Sequence, residues 1–210
     1  MGLLVMILGL FLFLGVHTLT TQRELRARCI ASMGEGGYKI GYALASFAGL
    51  ALIVWGFAQY RATGWIDVWN PPTAFKHITV ALMLPAVILV VASYIRGRIY
   101  TTLKHPMLSG IKLWAAAHLL ANGDLGSIVL FGSFLGWAVF DRISLKHRPD
   151  AGAPPIPVGG PGNDLIAIAV GIVAYLALAF ASRAAHRDCA SGRTPNVASE
   201  SFAPSRPCCD

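Results

Sequence analysis

The fold is decided by the stretch Lys104-His105-Pro106-Met107-Leu108-Ser109-Gly110-Ile111-Lys112-Leu113-Trp114-Ala115-Ala116-Ala117-His118-Leu119-Leu120-Ala121-Asn122-Gly123-Asp124. Most of its side chains are apolar, yet it holds two histidines and two lysines. A charged side chain at the centre of a bilayer costs about 3 kcal/mol on insertion scales, so it normally has a partner, a cofactor or a proton path. The stretch therefore predicts a membrane-embedded helix with polar functional groups, followed by a turn.

Apolar segments of similar length occur throughout the chain, whose charged fraction is only 13%, against about 25% in soluble domains. A helix crosses a bilayer in roughly 20 residues. Six such segments are present: Leu3–Leu19, Ile40–Gln59, His77–Ile95, Met107–Ala121, Leu125–Phe140 and Leu165–Ser182. We predict an all-α, polytopic transmembrane helical bundle of about six helices over residues 1–183, embedded in a lipid bilayer, with a polar, disordered tail over residues 184–210.

The fourth and fifth segments are joined by only Asn122-Gly123-Asp124. Asn-Gly is typical of turns, and an aspartate is well suited to cap the next helix. These two segments are therefore expected to form a tight hairpin. Each is short for a full span, so a re-entrant pair stays an alternative.

Lysines and arginines are distributed unequally between the connectors. The first, third and fifth connectors hold ten, and the other side holds four: Arg61, Lys76, Arg183 and Arg187. Because cytoplasmic loops carry the excess of basic residues, the three odd connectors are predicted to be cytoplasmic and both termini external. The net charge of +7 follows from these short connectors, so a nucleic-acid partner is not expected.

Small residues predict where the helices pack, because helices in lipid approach closely through glycine and alanine. The second segment carries Gly41, Ala45 and Gly49 at four-residue spacing. The fifth carries Gly132 and Gly136, and the sixth carries Ala167 and Gly171. We expect these stripes to face the bundle.

Four of the six histidines lie at or within spans, and their depths can be compared. His17 and His105 lie near the cytoplasmic face, whereas His77 opens the third span on the outer side. His118 is thirteen residues beyond His105, which is about 20 Å along a helix. Depth therefore pairs His17 with His105 and His77 with His118.

The side chains available restrict what these imidazoles could bind. The chain has no His-Glu-x-x-His motif, no Cys-x-x-Cys pair and few carboxylates in its spans. Haem iron accepts axial histidine, and a porphyrin fits an apolar helical bundle. We expect a b-type haem held by two of His17, His77, His105 and His118. The alternative is that interfacial histidines bind backbone groups or lipid headgroups.

The central stretch closely resembles the core of NnrU proteins. The resemblance begins with Gly15-Val16-His17, Arg23-Glu24-Leu25-Arg26 and Leu82-Met83-Leu84-Pro85. It continues beyond the hairpin through Leu130-Phe131-Gly132-Ser133-Phe134 and then from Trp137 through Asp141-Arg142-Ile143-Ser144-Leu145-Lys146. It covers roughly residues 1–148.

This resemblance implies a multi-pass protein of the bacterial inner (plasma) membrane that is linked to denitrification, the reduction of nitrite and nitric oxide. NnrU proteins are similar to 15-cis-zeta-carotene isomerases, which hold a b-type haem through histidine. By that likeness His17 and His118 match the ligands of the haem iron, whereas depth pairs His17 with His105, and both pairings stay open. The isomerases also have a cysteine near the position of Ala115, which this chain lacks.

Three functions are compatible with these features. The first is a haem protein that supports nitrite and nitric oxide reduction by sensing or by helping to assemble the reductases. The second is a haem-dependent cis-trans isomerase of a carotenoid-like polyene, and the third is a histidine-lined transporter. Whether the protein is an enzyme stays open at this point.

Overall fold

The computed structural model describes residues 1–147 and 158–190, and the ordered elements in these ranges are helices. A single isolated bridge, between Asp67 and Asp124, is the extended pairing found there. The helices are α1 (Gly2–Thr21), α2 (Arg23–Ala62), α3 (Thr73–Ala92), α4 (Arg98–Leu103), α5 (Pro106–Ala121), α6 (Leu125–Lys146) and α7 (Pro161–Ala190). The predicted all-α membrane bundle is confirmed.

Five of these helices are long and apolar enough to cross a membrane, namely α1, α2, α3, α6 and the Pro161–Ala181 part of α7. The fourth predicted span, α5, has 16 residues and is about 24 Å long. That is less than the roughly 30 Å hydrocarbon core of a bilayer. α5 packs between α3 and α6, so protein rather than lipid surrounds much of this short helix.

The helices pack in the order α2, α1, α6, α5, α3, α7. Glycines bring α1 and α2 together, because a Cβ at Gly9 would lie 2.7 Å from the Ile53 nitrogen, and one at Gly49 2.8 Å from the Phe13 nitrogen. The prediction for Gly49 is therefore confirmed. It is wrong for Gly41, which has no neighbour of this kind within 4 Å among the described residues.

Of the other two predicted stripes of small residues, one packs against a neighbouring helix and one does not. A Cβ at Gly171 would touch the Ile88 side chain at 2.7 Å, and Ala167 is completely buried, so α7 packs as expected. A Cβ at Gly132 or Gly136 would meet nothing within 4 Å in the described chain apart from the backbone of its own helix. Four-residue spacing of small residues thus occurs on faces with and without a helical neighbour.

Helix α2 begins at Arg23, well before the apolar segment that predicted it. Gly34, at φ 72° and ψ 164°, interrupts its helical geometry and divides it into two helices. The first basic connector is thus helical as far as this glycine. A positive φ of this size is easy for glycine alone, since it lacks a Cβ.

Asn122-Gly123-Asp124 joins α5 to α6, and these two helices pack against each other as the predicted hairpin. Asp124 is the N-cap of α6, and its Oδ2 accepts a hydrogen bond from the Ser127 backbone nitrogen at 2.8 Å. The capping role expected for Asp124 is confirmed. At the other end of the chain, α7 continues to Ala190, and the rest of the predicted tail lies outside the described residues.

Candidate functional site

A cavity of about 580 Å³ lies where α1, α5 and α6 meet the segment that precedes α5. We call it the histidine cavity. Its lining includes Phe13, His17, Arg96, Tyr100, Lys104, His105, Leu108, Ile111, Phe134, Trp137 and Asp141. Its volume falls within the roughly 300–1,000 Å³ of small-molecule and cofactor sites.

His17 stands on α1, half-buried in the wall of this cavity. Its Nδ1 is 2.7 Å from the backbone oxygen of Phe13, one helical turn earlier. Because a carbonyl only accepts, Nδ1 carries the proton and Nε2 of the neutral ring keeps its lone pair. The ring also stacks on Phe13 at a centroid distance of 4.2 Å. A fixed tautomer with a free Nε2 is the state in which histidine binds a metal.

His105 lies in the wall of the same cavity, at the N-cap of α5. The preceding residue, Lys104, has φ 60° and ψ −36°, and the His105 nitrogen donates to the Leu103 oxygen at 2.6 Å. This is a three-residue γ-turn, which is strained for a residue with a side chain. Pro106 follows and restricts the backbone of His105 from the other side. The position of His105 is thus determined by an unusual backbone on both sides.

The imidazole of His105 has no hydrogen-bond partner within residues 1–147 and 158–190. Burial, and then the nearby Arg142 charge, lowers the pKa of His105 below that of a free histidine. The ring is therefore neutral at pH 7, with a nitrogen lone pair available to a ligand.

Two cations lie at the mouth of the cavity. The Arg96 guanidinium lies 4.5 Å from the centroid of the Tyr100 ring, and Lys104 precedes His105. The Asp164 carboxylate of α7 accepts from the Arg98 and Ile99 nitrogens at 2.9 and 3.0 Å. These bonds hold the start of α4, and with it the segment that carries the mouth.

Trp137 lines the cavity, and its ring meets His17 edge-on at a centroid distance of 5.7 Å. Its Nε1 is buried and has no hydrogen-bond partner in the described chain. A buried N–H without a partner costs about 1–3 kcal/mol. An unpaired donor, two available imidazoles and apolar walls are together compatible with a polar-edged aromatic ligand such as haem.

His118 does not line this cavity. Its ring stacks on Phe131 at a centroid distance of 4.4 Å and meets Trp114 edge-on at 5.6 Å. Trp114 in turn contacts Phe134, which reaches Phe13 beside His17. A column of aromatic rings thus separates His17 from His118.

His77 is exposed at the start of α3, and it makes no hydrogen bond or ring contact with His118 within residues 1–147 and 158–190. The structure therefore places His17 and His105 on the same cavity, which is the pair expected from depth. For the second depth pair, the residues beside the two histidines do meet, since the Thr79 hydroxyl donates to the Ala117 oxygen at 2.7 Å.

The opposite end of α5 is closed by a polar clamp, which consists of Arg61, the loop 63–72 and the Asn122–Asp124 turn. The nitrogens of Val68 and Trp69 donate to the Gly123 oxygen at 2.9 and 3.1 Å. The buried carboxylate of Asp124 accepts from Arg61 at 3.3 Å and from the Ser127 hydroxyl at 2.7 Å. These interactions explain the position of Asp124 without a catalytic or ligand-binding role.

A family model of NnrU proteins matches residues 5–187. The chain belongs to the NnrU family. The match covers α1 to α6 and most of α7, and therefore both ends of the bundle. No curated protein and no solved structure was found to match this NnrU protein.

Donor sets of other metals are not apparent in this NnrU protein. Among the described residues no three histidine, cysteine, aspartate or glutamate side chains are close enough to hold one ion. Haem iron needs fewer protein side chains, because the porphyrin supplies four ligands and the protein supplies one or two. The donors of the histidine cavity thus fit haem better than a zinc or calcium ion.

Sequence reasoning did not identify three features of the site. Arg96 was counted only as a basic connector residue, Lys104 was not linked to a ligand, and Asp164 and Trp137 were assigned no role. Lys104-His105-Pro106 did offer a signal, since an ionisable pair before a proline at a helix start predicts a restricted backbone. No comparable signal points to Asp164, which acts on residues far away in sequence.

Proposed function

We propose that this NnrU protein binds b-type haem in the histidine cavity, where His17 and His105 would hold the iron. The observation that supports this proposal is the presence of two imidazoles with available lone pairs on one apolar cavity. The family membership supports the wider proposal that the protein acts in nitrite and nitric oxide reduction at the bacterial inner membrane, as a sensor or assembly factor for the reductases.

The chain's own residues would have separate roles in such a site. His17 and His105 would hold the iron, the Phe13 oxygen would keep His17 in the correct tautomer, and Phe134 would help to exclude water. The haem itself would supply reversible one-electron chemistry. That chemistry suits a protein that acts in nitrite and nitric oxide reduction.

The optical spectrum of protein purified from haem-replete cells tests the proposal. We expect a Soret band and the spectrum of six-coordinate, bis-histidine iron. His17→Ala and His105→Ala should each lower haem occupancy by at least about tenfold or convert the remainder to five-coordinate iron.

The control is His147→Ala. The Nδ1 of His147 is 2.9 Å from the oxygen of Ile143 one turn earlier, as in His17, but the ring is exposed. This variant should leave the spectrum unchanged. A wild-type spectrum without a Soret band would exclude haem binding. Loss of the band in His118→Ala but not in His105→Ala would show that His118, and not His105, is the second histidine that holds the iron.

A complementation experiment tests the physiological part of the proposal. Cells that lack the protein should reduce nitrite or consume nitric oxide more slowly, and the wild-type protein should restore the rate while His17→Ala should not. Equal rates with and without the protein would contradict the link to denitrification.

A second candidate, a polyene isomerase, is supported by an apolar groove of about 590 Å³ between α1 and α6. Its lining includes Phe11, Leu14, Leu19 and Val129, which suit an extended hydrocarbon. The groove and the histidine cavity share no lining residue in the described chain, so a polyene there would not face both imidazoles. Cells that accumulate the cis polyene would show converted pigment only if this function is correct.

A further inference from the structure

We infer that Arg96 and Lys104 form the carboxylate-binding end of the histidine cavity and thereby determine the orientation of its ligand. This inference rests on the proposed function, because haem is a flat apolar molecule with two propionates on one edge. It goes further by assigning the residues that recognise those acid groups, and it restricts the ligands to amphipathic tetrapyrroles with free carboxylates.

The walls of the cavity are chemically unequal. Phe13, Leu108, Ile111 and Phe134 form apolar surface on α1, α5 and α6, whereas Arg96 and Lys104 lie on the segment that precedes α5. A ligand with one acidic edge would bury its apolar part against the first group and present its acids to the second. The reverse orientation would leave carboxylates against aromatic rings, which is costly.

The two cations are not neutralised within the part of the chain that the structure describes. The nearest partner of the Arg96 guanidinium there is the Tyr100 ring, and neither Arg96 nor Lys104 pairs with a carboxylate of those residues. Asp141 also lines the cavity, but it makes an interaction of its own, and Arg142 follows it. The charge at the mouth is therefore positive overall, and arginine is well suited to bind a carboxylate through two hydrogen bonds.

The mouth is also held in position. The Arg96 oxygen accepts from the Asn163 amide at 3.0 Å and from the Gly159 nitrogen at 2.9 Å, so the start of α7 binds the residue directly. Lys104 is held by the γ-turn described above. The backbone that carries both cations is thus fixed before a ligand binds, which lowers the entropy lost on binding.

Basic residues in this connector have a simpler explanation, which is the positive-inside rule alone. The two explanations differ in one measurable respect. A topological charge has no preference between a haem with free propionates and its dimethyl ester, whereas a carboxylate-binding site prefers the free acid.

The test is a Soret titration of the full-length apoprotein in detergent with haem and with haem dimethyl ester. Wild-type protein should bind haem more tightly than the ester. Arg96→Gln and Lys104→Gln should each weaken haem binding by about tenfold, or about 1.4 kcal/mol, and leave ester binding unchanged, since each variant removes a charge-assisted hydrogen bond to a carboxylate.

Lys76→Gln is the matched control, because Lys76 is an exposed lysine at the opposite end of the bundle. It should bind both porphyrins like the wild type. Unchanged haem affinity in Arg96→Gln and Lys104→Gln would overturn the inference, and so would an equal loss for haem and ester. In both cases haem would still bind, whereas a wild-type titration without a Soret band would show that the proposed function itself is wrong.

Discussion

At the Asn122–Asp124 end of α5 a buried carboxylate has partners, whereas at the His105 end three polar groups beside the cavity have none in the described chain. The buried Asp124 carboxylate accepts from Arg61 and twice from Ser127. The guanidinium of Arg96, the imidazole of His105 and the Nε1 of Trp137 have no such partner in the described chain. Paired buried charges stabilise a fold, and unpaired donors around a cavity suit a ligand. The comparison indicates that α5 is held at one end so that the other can carry the site.

The largest effect is expected from Gly123→Ala in the clamp. A Cβ at this position would overlap the backbone oxygen of Trp69, which cannot move without breaking the clamp. We expect a loss of about 3 kcal/mol of stability, measured as a fall in the apparent Tm in detergent. Gly136→Ala is the control, since no described atom apart from the backbone of its own helix lies within 4 Å of that Cβ. A wild-type Tm in Gly123→Ala would contradict the clamp geometry.

Asp124→Ala is expected to have the next largest effect. It removes the cap of α6 and leaves Arg61 without its carboxylate, which together should cost about 2 kcal/mol because Arg61 is partly exposed. The apparent Tm should fall accordingly. Asp67→Ala, at an exposed position of the same loop, should change it little. Equal shifts in the two variants would show that Asp124 has no special structural role.

Lys104→Gly tests the His105 end of α5 and, unlike the two clamp variants, is expected to raise the stability. Glycine adopts a positive φ without strain, so the variant should gain about 1 kcal/mol in stability and bind haem more weakly. Thr101→Gly, inside α4, should instead lower the apparent Tm. A fall in Tm for Lys104→Gly would mean that the γ-turn at this position is not strained.

The smallest effect is expected when the pH is lowered and the His105 imidazole takes up a proton. Because burial lowers its pKa in the folded protein, the unfolded chain binds the proton more readily. Stability from this group is complete above the unfolded pKa of about 6.5 and declines as the pH falls below it. The apparent Tm should therefore fall less between pH 7.5 and 5.5 in His105→Gln than in the wild type. A steeper fall in the variant would contradict a lowered pKa.

Hydropathy predicted most of the fold. The spans that became α1, α3, α6 and α7 were recognised because helices in lipid must be long, apolar and internally hydrogen-bonded. The start of α2 and the whole of α4 were not, since both are amphipathic or polar and lack that signal. Glycine spacing was informative only where a neighbouring helix exists, as at Gly49 and not at Gly41.

The candidate site was only partly predictable. His17 and His105 were selected as polar groups of similar depth, and they line the same cavity. Their relation to Trp137 and Asp164 could not be inferred, because it depends on how α6 and α7 rotate and pack. The roles of His17, His77, His105 and His118 as haem ligands stay predictions.

The sequence by itself determined that this protein is a helical membrane bundle with a capped hairpin, because local hydrophobicity and turn chemistry decide those features before any helix meets another. Only the tertiary structure decided which imidazoles share a cavity, which cations remain unpaired and which are neutralised in the clamp. The physical reason is that these properties depend on contacts between residues distant in the chain, such as Arg61 with Asp124 and Asp164 with Arg98.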